Sequence, residues 1–146
     1  GMSVKVSGPV NADFTSGTAR RVDSAADIRG PLASVDLAQG SFVIMGTTVT
    51  TDNATVWADA SGLAALAPNT TLQVWGLPAA AGVLRATRVE QRSPSAPILS
   101  GTVQNLDPLR RTFTLGSFLI DYSGAVLSGS LDGRPLANGT LVRVRA

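Results

Sequence analysis

Arginine is the charged residue whose spacing in this chain could serve a chemical purpose. Eleven arginines accompany one lysine, and histidine and cysteine are absent. Most of the arginines lie in short groups: Arg20 and Arg21, Arg85, Arg88 and Arg92, Arg110 and Arg111, and Arg143 and Arg145. Alternation along a strand puts Arg143 and Arg145 on one face. Guanidinium groups beside an aromatic ring can bind single-stranded nucleic acid or an anionic oligosaccharide, whereas the simpler interpretation is a solvated strand face.

The candidate binding residues are Trp75, Arg85, Arg88, Arg143 and Arg145. Trp75 is out of phase with the apolar residues before it, so it should point away from the buried face of its strand. There it could stack on Arg85 or Arg88, pack between two structural units, or contact a ligand. The surplus of positive charge is only two, which gives little long-range field. Nucleic acid is therefore not the favoured ligand.

The chain offers little for catalysis. Acid–base chemistry needs paired carboxylates in a cleft, yet the nine aspartates and one glutamate mostly adjoin turn residues. Asp36 and Asp107 are expected to accept hydrogen bonds from backbone N–H groups of turns. The serines have no histidine to activate them, and Lys5 lacks a serine three residues before it. We predict no catalytic residue and no enzymatic activity.

Metal and cofactor binding are also unexpected. Without cysteine the chain has no thiolate ligands or disulfides, and without histidine it lacks the commonest metal ligand. A calcium loop needs several closely spaced carboxylates, whereas the nearest approach, Asp121 to Asp132, supplies two. We therefore predict no metal site and no cofactor.

The elements that position these residues are strands, because the apolar residues recur with a period of two. Turn signals such as Gly8-Pro9 and Ser93-Pro94 interrupt the pattern at short intervals. One unit is predicted to contain strands at 28–36, 41–46, 47–57, 70–76 and 83–91 and a short helix at 61–67. The fold class is all-β. Five strands with a helix after the third match an OB-type Greek-key barrel, with SH3-like barrels and meanders as alternatives.

The chain repeats itself. Ile28 to Asp36 returns as Leu99 to Asp107, and Phe42-Val43-Ile44 returns as Phe113-Thr114-Leu115, both at an offset of 71. Beyond that point the two copies match at an offset of 70, so that Gly46 is equivalent to Gly116 and Val49 to Leu119. Two tandem five-stranded barrels are therefore expected, each with at most one short helix, and any helix in the second is shorter or absent because of Gly133 and Pro135.

The repeat also predicts the domain organisation. The first barrel repeat is residues 28–92, residues 93–98 are a linker, and the second repeat, 99–146, lacks its last strand. Residues 3–27 resemble the last two strands of a further unit and form a partial repeat, a β-hairpin. We predict that the strand around Arg20, Arg21 and Val22 pairs beside residues 141–144, closing the second barrel within the chain or by strand exchange in a homodimer. The alternative is that the natural protein is longer and that this sequence begins partway through a repeat.

The same glycines and apolar residues carry a family resemblance. It rests on the pattern Gly30…Asp36…Phe42-x-Ile44-x-Gly46…Thr55…Leu72-x-Val74-x-Gly76…Ala86-x-x-Val89. This pattern resembles a bacterial domain family of unknown function, found as tandem small OB-like β-barrel repeats in exported proteins and lipoproteins. The resemblance implies a non-catalytic structural or binding module that is periplasmic or associated with an outer-membrane lipoprotein, with any export signal removed from this sequence. No stretch is apolar for long enough to span a membrane, and a protein partner is possible.

Overall fold

The computed structural model describes residues 2, 4–131 and 133–146. Ser3, the first residue of the predicted partial repeat, and Asp132, one end of the predicted calcium turn, lie outside the described residues. The strands of the first half are β1 (Val4–Ser7), β2 (Arg21–Ser24), β3 (Ile28–Asp36), β4 (Ser41–Ile44), β5 (Thr47–Thr50) and β6 (Val56–Trp57). The second half contains β7 (Thr71–Ala80), β8 (Val83–Arg92), β9 (Ile98–Asp107), β10 (Thr112–Leu115), β11 (Phe118–Asp121) and β12 (Leu141–Arg145). The predicted all-β class is confirmed.

The first unit, residues 28–92, is a closed ring of five strands. β3, β4 and β5 pair in sequence as antiparallel neighbours, β5 runs parallel to β8, and β7 pairs antiparallel with both β8 and β3. Its interior is filled by alternating apolar residues that are at most 2% exposed: Ile28, Leu32, Phe42, Ile44, Val49, Leu72, Val74, Ala86 and Val89. Because successive side chains point to opposite sides, the ring buries one face of every strand.

The short helix predicted at 61–67 is wrong in length. The structure has a single 3₁₀ turn at Leu63–Ala65, and no side chain caps it. Gly62, with φ of 143°, precedes the turn, and Pro68 follows closely, so the backbone cannot extend a regular helix on either side. Leu66 is buried in the core instead. In the second unit a 3₁₀ turn spans Gly129–Leu131, and no described helical segment is long and apolar enough to cross a membrane.

The strand predicted at 47–57 is also interrupted. Its two parts, β5 and β6, are separated by a turn in which the Asp52 carboxylate accepts a hydrogen bond from the Ala54 N–H at 2.9 Å. The Thr55 hydroxyl, which is buried, donates to the Ala86 carbonyl at 3.0 Å. β6 consists of two residues, and both of them pair with residues of β8. The turn therefore redirects the chain along β8.

The second unit, residues 98–145, forms four strands in the order β11, β10, β9, β12. Leu99, Val103, Phe113, Leu115 and Leu136 are buried in it. In the described part of the chain, β11 pairs with β10 and β12 pairs with β9, so each has an unpaired outer edge. The order resembles the first unit with the strand equivalent to β8 left out.

The strand registers correct the position of the change in repeat offset. Phe42 pairs with Val49, and Phe113 pairs with Ile120, so Ile120 rather than Leu119 occupies the place of Val49. Leu119 is 65% exposed, as expected for a residue on the opposite face. The offset of 71 therefore continues through β11, and the missing residue lies between β11 and β12.

The two units meet through β3 and β9, where Ile28 pairs with Leu99. Next to this pair the Ser100 N–H donates to the Asp27 carbonyl at 2.7 Å. Two glycine turns touch nearby, since a Cβ on Gly116 would lie 2.9 Å from the Cα of Gly82. Gly116 also has φ of 58°, a left-handed conformation that favours glycine. Backbone thus packs on backbone at the junction.

The N-terminal segment forms a hairpin of β1 and β2 with four residue pairs. Within the described chain, β2 pairs with β1 and not with β12, so the predicted closure of the second unit is not formed inside this single chain. The hairpin nevertheless lies beside β12, because Arg21 and Ser24 share a cleft with Arg143 and Arg145. Strand exchange between two copies stays a prediction.

Candidate functional site

The site begins with Arg143, which links three parts of the chain. Its Nη2 donates to the Asp27 carboxylate at 3.1 Å, and its Nε donates to the Ser100 hydroxyl at 3.1 Å. The second oxygen of Asp27 accepts the Gly76 N–H at 3.0 Å. Asp27 therefore joins β7 of the first unit to β12 of the second. The charge of Arg143 is compensated, so this arginine has a structural task.

A cleft of about 490 Å³ lies on one side of Arg143, between the N-terminal hairpin and β12. We call it the basic cleft. It is lined by Val4, Lys5, Arg21, Asp23, Ser24, Ala25, Arg143 and Arg145. Four cationic side chains thus face a single carboxylate. That carboxylate, Asp23, forms an exposed ion pair with Arg21 at 2.8 Å, and Arg143 is held by Asp27.

Lys5 and Arg145 supply the remaining positive charge of the basic cleft. The structure gives neither of them an ion pair with a described carboxylate, and both lie on exposed strand positions. The alternation predicted for β12 is confirmed, since Arg143 and Arg145 line the same cleft while Val142 and Val144 pack against the core. An anionic group entering the cleft could therefore be paired by Lys5 and Arg145 without displacing an existing partner.

The other two predicted arginines lie elsewhere. Arg85 is half-exposed and pairs with Asp52 at 3.4 Å. Arg88 donates to Glu90 at 2.6 Å, and Arg92 donates to the other oxygen of the same buried carboxylate. These residues occupy β8 and do not line the basic cleft. The structure therefore separates Arg85 and Arg88 from Arg143 and Arg145.

Trp75 is buried, with 4% of its surface exposed. Its indole N–H donates to the Ser24 hydroxyl at 3.1 Å, and its carbonyl accepts the Thr87 hydroxyl at 3.1 Å. The ring is not part of the barrel interior, in line with its phase in the strand. The N-terminal segment covers it, and in this arrangement its faces are not open for stacking a base or a sugar.

A second, larger cleft of about 750 Å³ lies between the two units. One wall is the tip of the β7–β8 hairpin, where Leu77, Pro78 and Ala79 to Ala81 are small or apolar. The opposite wall belongs to β9 and β12 and includes Thr102, Gln104 and Leu141, and Arg143 borders this cleft as well. The volume lies within the range of small-molecule sites, but the walls bring only two charged side chains, Asp27 and Arg143, already paired with each other.

Several aspartates outside this site accept hydrogen bonds in turns. Asp36 accepts the Gln39 N–H at 3.0 Å, and Asp107 accepts the N–H groups of Leu109 and Arg110, both at 3.0 Å, which confirms the predicted turn role. The hydrogen bond from the Ser123 N–H holds the pKa of Asp121 below its ordinary value. Among the described residues no three potential ligands lie close enough to hold a metal ion.

Sequence reasoning missed Asp27 and Ser24. Neither falls in the repeat pattern, and their partners Gly76, Arg143 and Trp75 are 49 to 116 residues away. Such long-range hydrogen bonds leave no local periodicity to detect. The sequence signal that did indicate this site was the grouping of Arg143 with Arg145 on one face of a strand.

Comparison with known proteins finds a similarity for the first unit. No curated protein and no solved structure matches the chain. One family model matches, and it covers β3 to β8 almost completely. Residues 29–90 of the chain match the model of a family described as domain of unknown function (DUF5666).

Proposed function

We propose that this protein is a non-catalytic, extracytoplasmic binding module that takes an anionic oligosaccharide in the basic cleft. The observation that supports this function is the convergence of Lys5, Arg21, Arg143 and Arg145 from two separate parts of the chain on one cleft. Several cations around one concave surface favour a ligand with several anionic groups. The extracytoplasmic location rests on the family resemblance alone, and the genomic sequence upstream of Met2 tests it, since it would have to encode an export signal.

Burial of Trp75 favours an oligosaccharide over single-stranded nucleic acid. Proteins that bind single strands combine a basic groove with exposed aromatic rings on which bases stack. Trp75 is 4% exposed, and the residues that line the basic cleft include no aromatic side chain. Sulfate or carboxylate groups of an oligosaccharide can be bound by the cationic side chains of the basic cleft without an aromatic ring. Single-stranded nucleic acid is therefore the second outcome that the binding test distinguishes.

The scaffold of this module is best described as two copies of an OB-type barrel. The ring order β3, β4, β5, β8, β7, with β5 and β8 parallel and a short helical turn before β7, supports that description for the first unit. In both units the first strand pairs with the second and fourth, at Gly30 with Leu72 and at Gly101 with Val142. A solved structure of the protein, compared with known OB barrels, tests this assignment.

Titration with a short sulfated oligosaccharide and with oligothymidine of equal charge tests the proposed ligand. We expect the oligosaccharide to bind more tightly, with an affinity that falls as salt increases. Arg145→Ala and Lys5→Ala should each weaken binding by roughly tenfold, which corresponds to about 1.4 kcal/mol. Arg110→Ala is the matched control, because it removes one positive charge from an exposed turn outside the basic cleft.

Equal weakening by all three variants would mean that the protein attracts polyanions through its net charge alone, and the proposed site would then be wrong. Tighter binding of oligothymidine than of the oligosaccharide would contradict the proposed ligand class. Isothermal titration calorimetry measures both affinities directly. Circular dichroism of each variant verifies that the β-structure is intact.

A further inference from the structure

The second unit contains an open position for one strand. In the first unit β8 fills the space between β5 and β7, pairing with both. The corresponding strands of the second unit are β11 and β12, and in the described chain no strand lies between them. We call this space the strand slot. Unpaired strand edges of this kind are sites at which another chain can add a strand.

Side chains around the strand slot are more exposed than their counterparts in the first unit. Val142 and Val144 are half-buried, whereas Leu72 and Val74, at the same places in the first unit, are fully buried. The segment that follows β11 is affected too. Val56 belongs to β6 through its pairing with β8, whereas Val126 forms no strand and is 91% exposed. One missing strand accounts for these differences.

The N-terminal hairpin has the pairing register of β7 and β8. In the hairpin Val4 pairs with Ser24, Lys5 with Asp23, Val6 with Val22 and Ser7 with Arg21. In the first unit Leu72 pairs with Gln91, Gln73 with Glu90, Val74 with Val89 and Trp75 with Arg88. All four pairs correspond in order, and the sequence Ala19-Arg20-Arg21-Val22-Asp23 matches Ala86-Thr87-Arg88-Val89-Glu90. β2 is therefore a strand of the same kind as β8.

The hairpin also exposes the residues that a barrel would bury. Val6 is 58% exposed and Val22 is 59% exposed, whereas Val74 and Val89 at the equivalent positions are 0% and 2% exposed. An isolated two-stranded hairpin is at best marginally stable in water. The strand that the second unit lacks and a strand without a barrel are thus present in the same molecule.

We propose that β2 of a second copy of this chain fills the strand slot, and that two copies exchange this strand reciprocally. If the register of β7 and β8 is kept, Val22 of one copy lies opposite Val144 of the other. Asp23 then lies opposite Arg143, a pair of opposite charges, and Arg21 lies opposite Arg145, a pair of like charges at exposed positions. The strand leaves β1 and gains two neighbours, β11 and β12, in place of one.

Exchange between copies explains the structure better than closure within the chain. In the single chain β2 already lies near β12, since Arg21 and Arg145 line the same cleft, yet it pairs with β1. The connection from Ser24 to Ile28 is short, and it is tied to the first unit by the bond from Trp75 to Ser24 and by that from Gly76 to Asp27. This anchoring keeps β2 from turning into the slot of its own chain.

Disulfide trapping tests the proposal, because the natural chain contains no cysteine. One chain carries Val22→Cys, and a second chain of different size carries Val144→Cys. Cross-strand neighbours lie within disulfide distance, so mixing and oxidising the two should give a mixed disulfide. The matched control replaces Val22→Cys with Leu37→Cys, an exposed position in the turn after β3. We expect several-fold more mixed disulfide with Val22→Cys than with the control.

Equal yields from the two mixtures would overturn the proposal. So would a disulfide formed inside a single chain that carries both Val22→Cys and Val144→Cys, because the strand slot would then be filled in cis. A second variant places both cysteines in the hairpin, so that the residues around the strand slot are unchanged. Val6→Cys with Val22→Cys joins β1 to β2, and we expect its oxidised form to sediment as a monomer and its reduced form as a dimer. A dimer in both states would show that the copies meet through another surface.

These measurements are made without oligosaccharide, because exchange of β2 moves the cleft residues Arg21, Asp23 and Ser24 onto the other copy. A chain that exchanges strands but ignores the oligosaccharide would refute only the proposed function. A chain that binds the oligosaccharide but stays monomeric would refute only the strand exchange.

Discussion

Removing the Asp27 carboxylate should destabilise the protein more than any other single loss of charge at the junction. Asp27 accepts the N–H of Gly76, a buried residue, and forms an ion pair with Arg143 at 3.1 Å. In Asp27→Ala the Gly76 N–H loses a charged acceptor, a loss of about 1.5–3 kcal/mol. The ion pair is partly exposed, since 17% of the Asp27 side chain and 36% of the Arg143 side chain are accessible to solvent. Its loss therefore adds at most about 1 kcal/mol to the decrease in stability.

The expected total is therefore about 2–4 kcal/mol, equivalent to a decrease in Tm of roughly 5–12 °C for a protein of this size. Differential scanning calorimetry and urea unfolding measure the two quantities. Asp27→Asn keeps one oxygen and should lose about half as much. Asp23→Ala is the control, since it breaks an exposed ion pair and should change stability by less than about 0.5 kcal/mol.

A double-mutant cycle separates the two bonds of Asp27. Arg143→Ala removes the ion pair and leaves the bond from Gly76, so the coupling energy between Asp27→Ala and Arg143→Ala should be roughly 0.5–1 kcal/mol. If Asp27→Ala is no more destabilising than Asp23→Ala, the carboxylate does not hold the junction together. The assignment of Asp27 as the link between the two units would then be wrong.

Three further predictions concern single positions. Gly116→Ala should destabilise the protein by roughly 1–3 kcal/mol in urea unfolding, because its Cβ would collide with the facing turn and its φ is left-handed; Gly124→Ala, with open space around it, should change stability little. Trp75→Phe should cost about 1 kcal/mol of thermal stability through the lost bond to Ser24. Asp121 should titrate below its ordinary pKa of 3.8 in an NMR pH series. Its contribution to stability is present above that pH and decreases as the pH falls through the lower folded value.

The positions of strands were predictable because apolar and polar residues alternate in the sequence of a half-buried strand. The buried residues of β5 and β10 follow that alternation. The turn roles of Asp36 and Asp107 were predictable for a similar reason, since an aspartate bonds to backbone only two or three residues away. Both kinds of signal are local.

The failures came from features that local signals do not contain. The helix at 61–67 was predicted from alanine and leucine, yet seven residues between two strands of a small barrel are too few for a stable helix. The offset of the repeat was changed at Gly46 because a glycine was matched to a glycine. A two-residue turn accepts a left-handed residue at either central position, and here Met45 and Gly46 are both left-handed while Gly116 precedes Ser117.

The candidate site was only half predictable. Arg143 and Arg145 were grouped by alternation, and the structure places them on one cleft. Their separation from Arg85 and Arg88 depends on the pairing of β8 in the first unit and of β12 in the second, and this cannot be read from the spacing of arginines. The burial of Trp75 likewise depends on the N-terminal segment, whose Ser24 lies 51 residues earlier in the chain.

The contact between the two units restricts how further units could attach. Ile28 and Leu99 pair with each other, and they hold equivalent positions, since each also pairs with the fourth strand of its own unit, at Val74 and Val144. Such a contact is self-complementary and closes once two units have met. A unit that contributes β1 and β2 therefore cannot dock on β3 in the same way. It must use a different edge, and the open edges of the second unit, among the described residues, are those of β11 and β12. The geometry of the junction thus leaves the strand slot open, and the hairpin register identifies β2 as the strand that fits it.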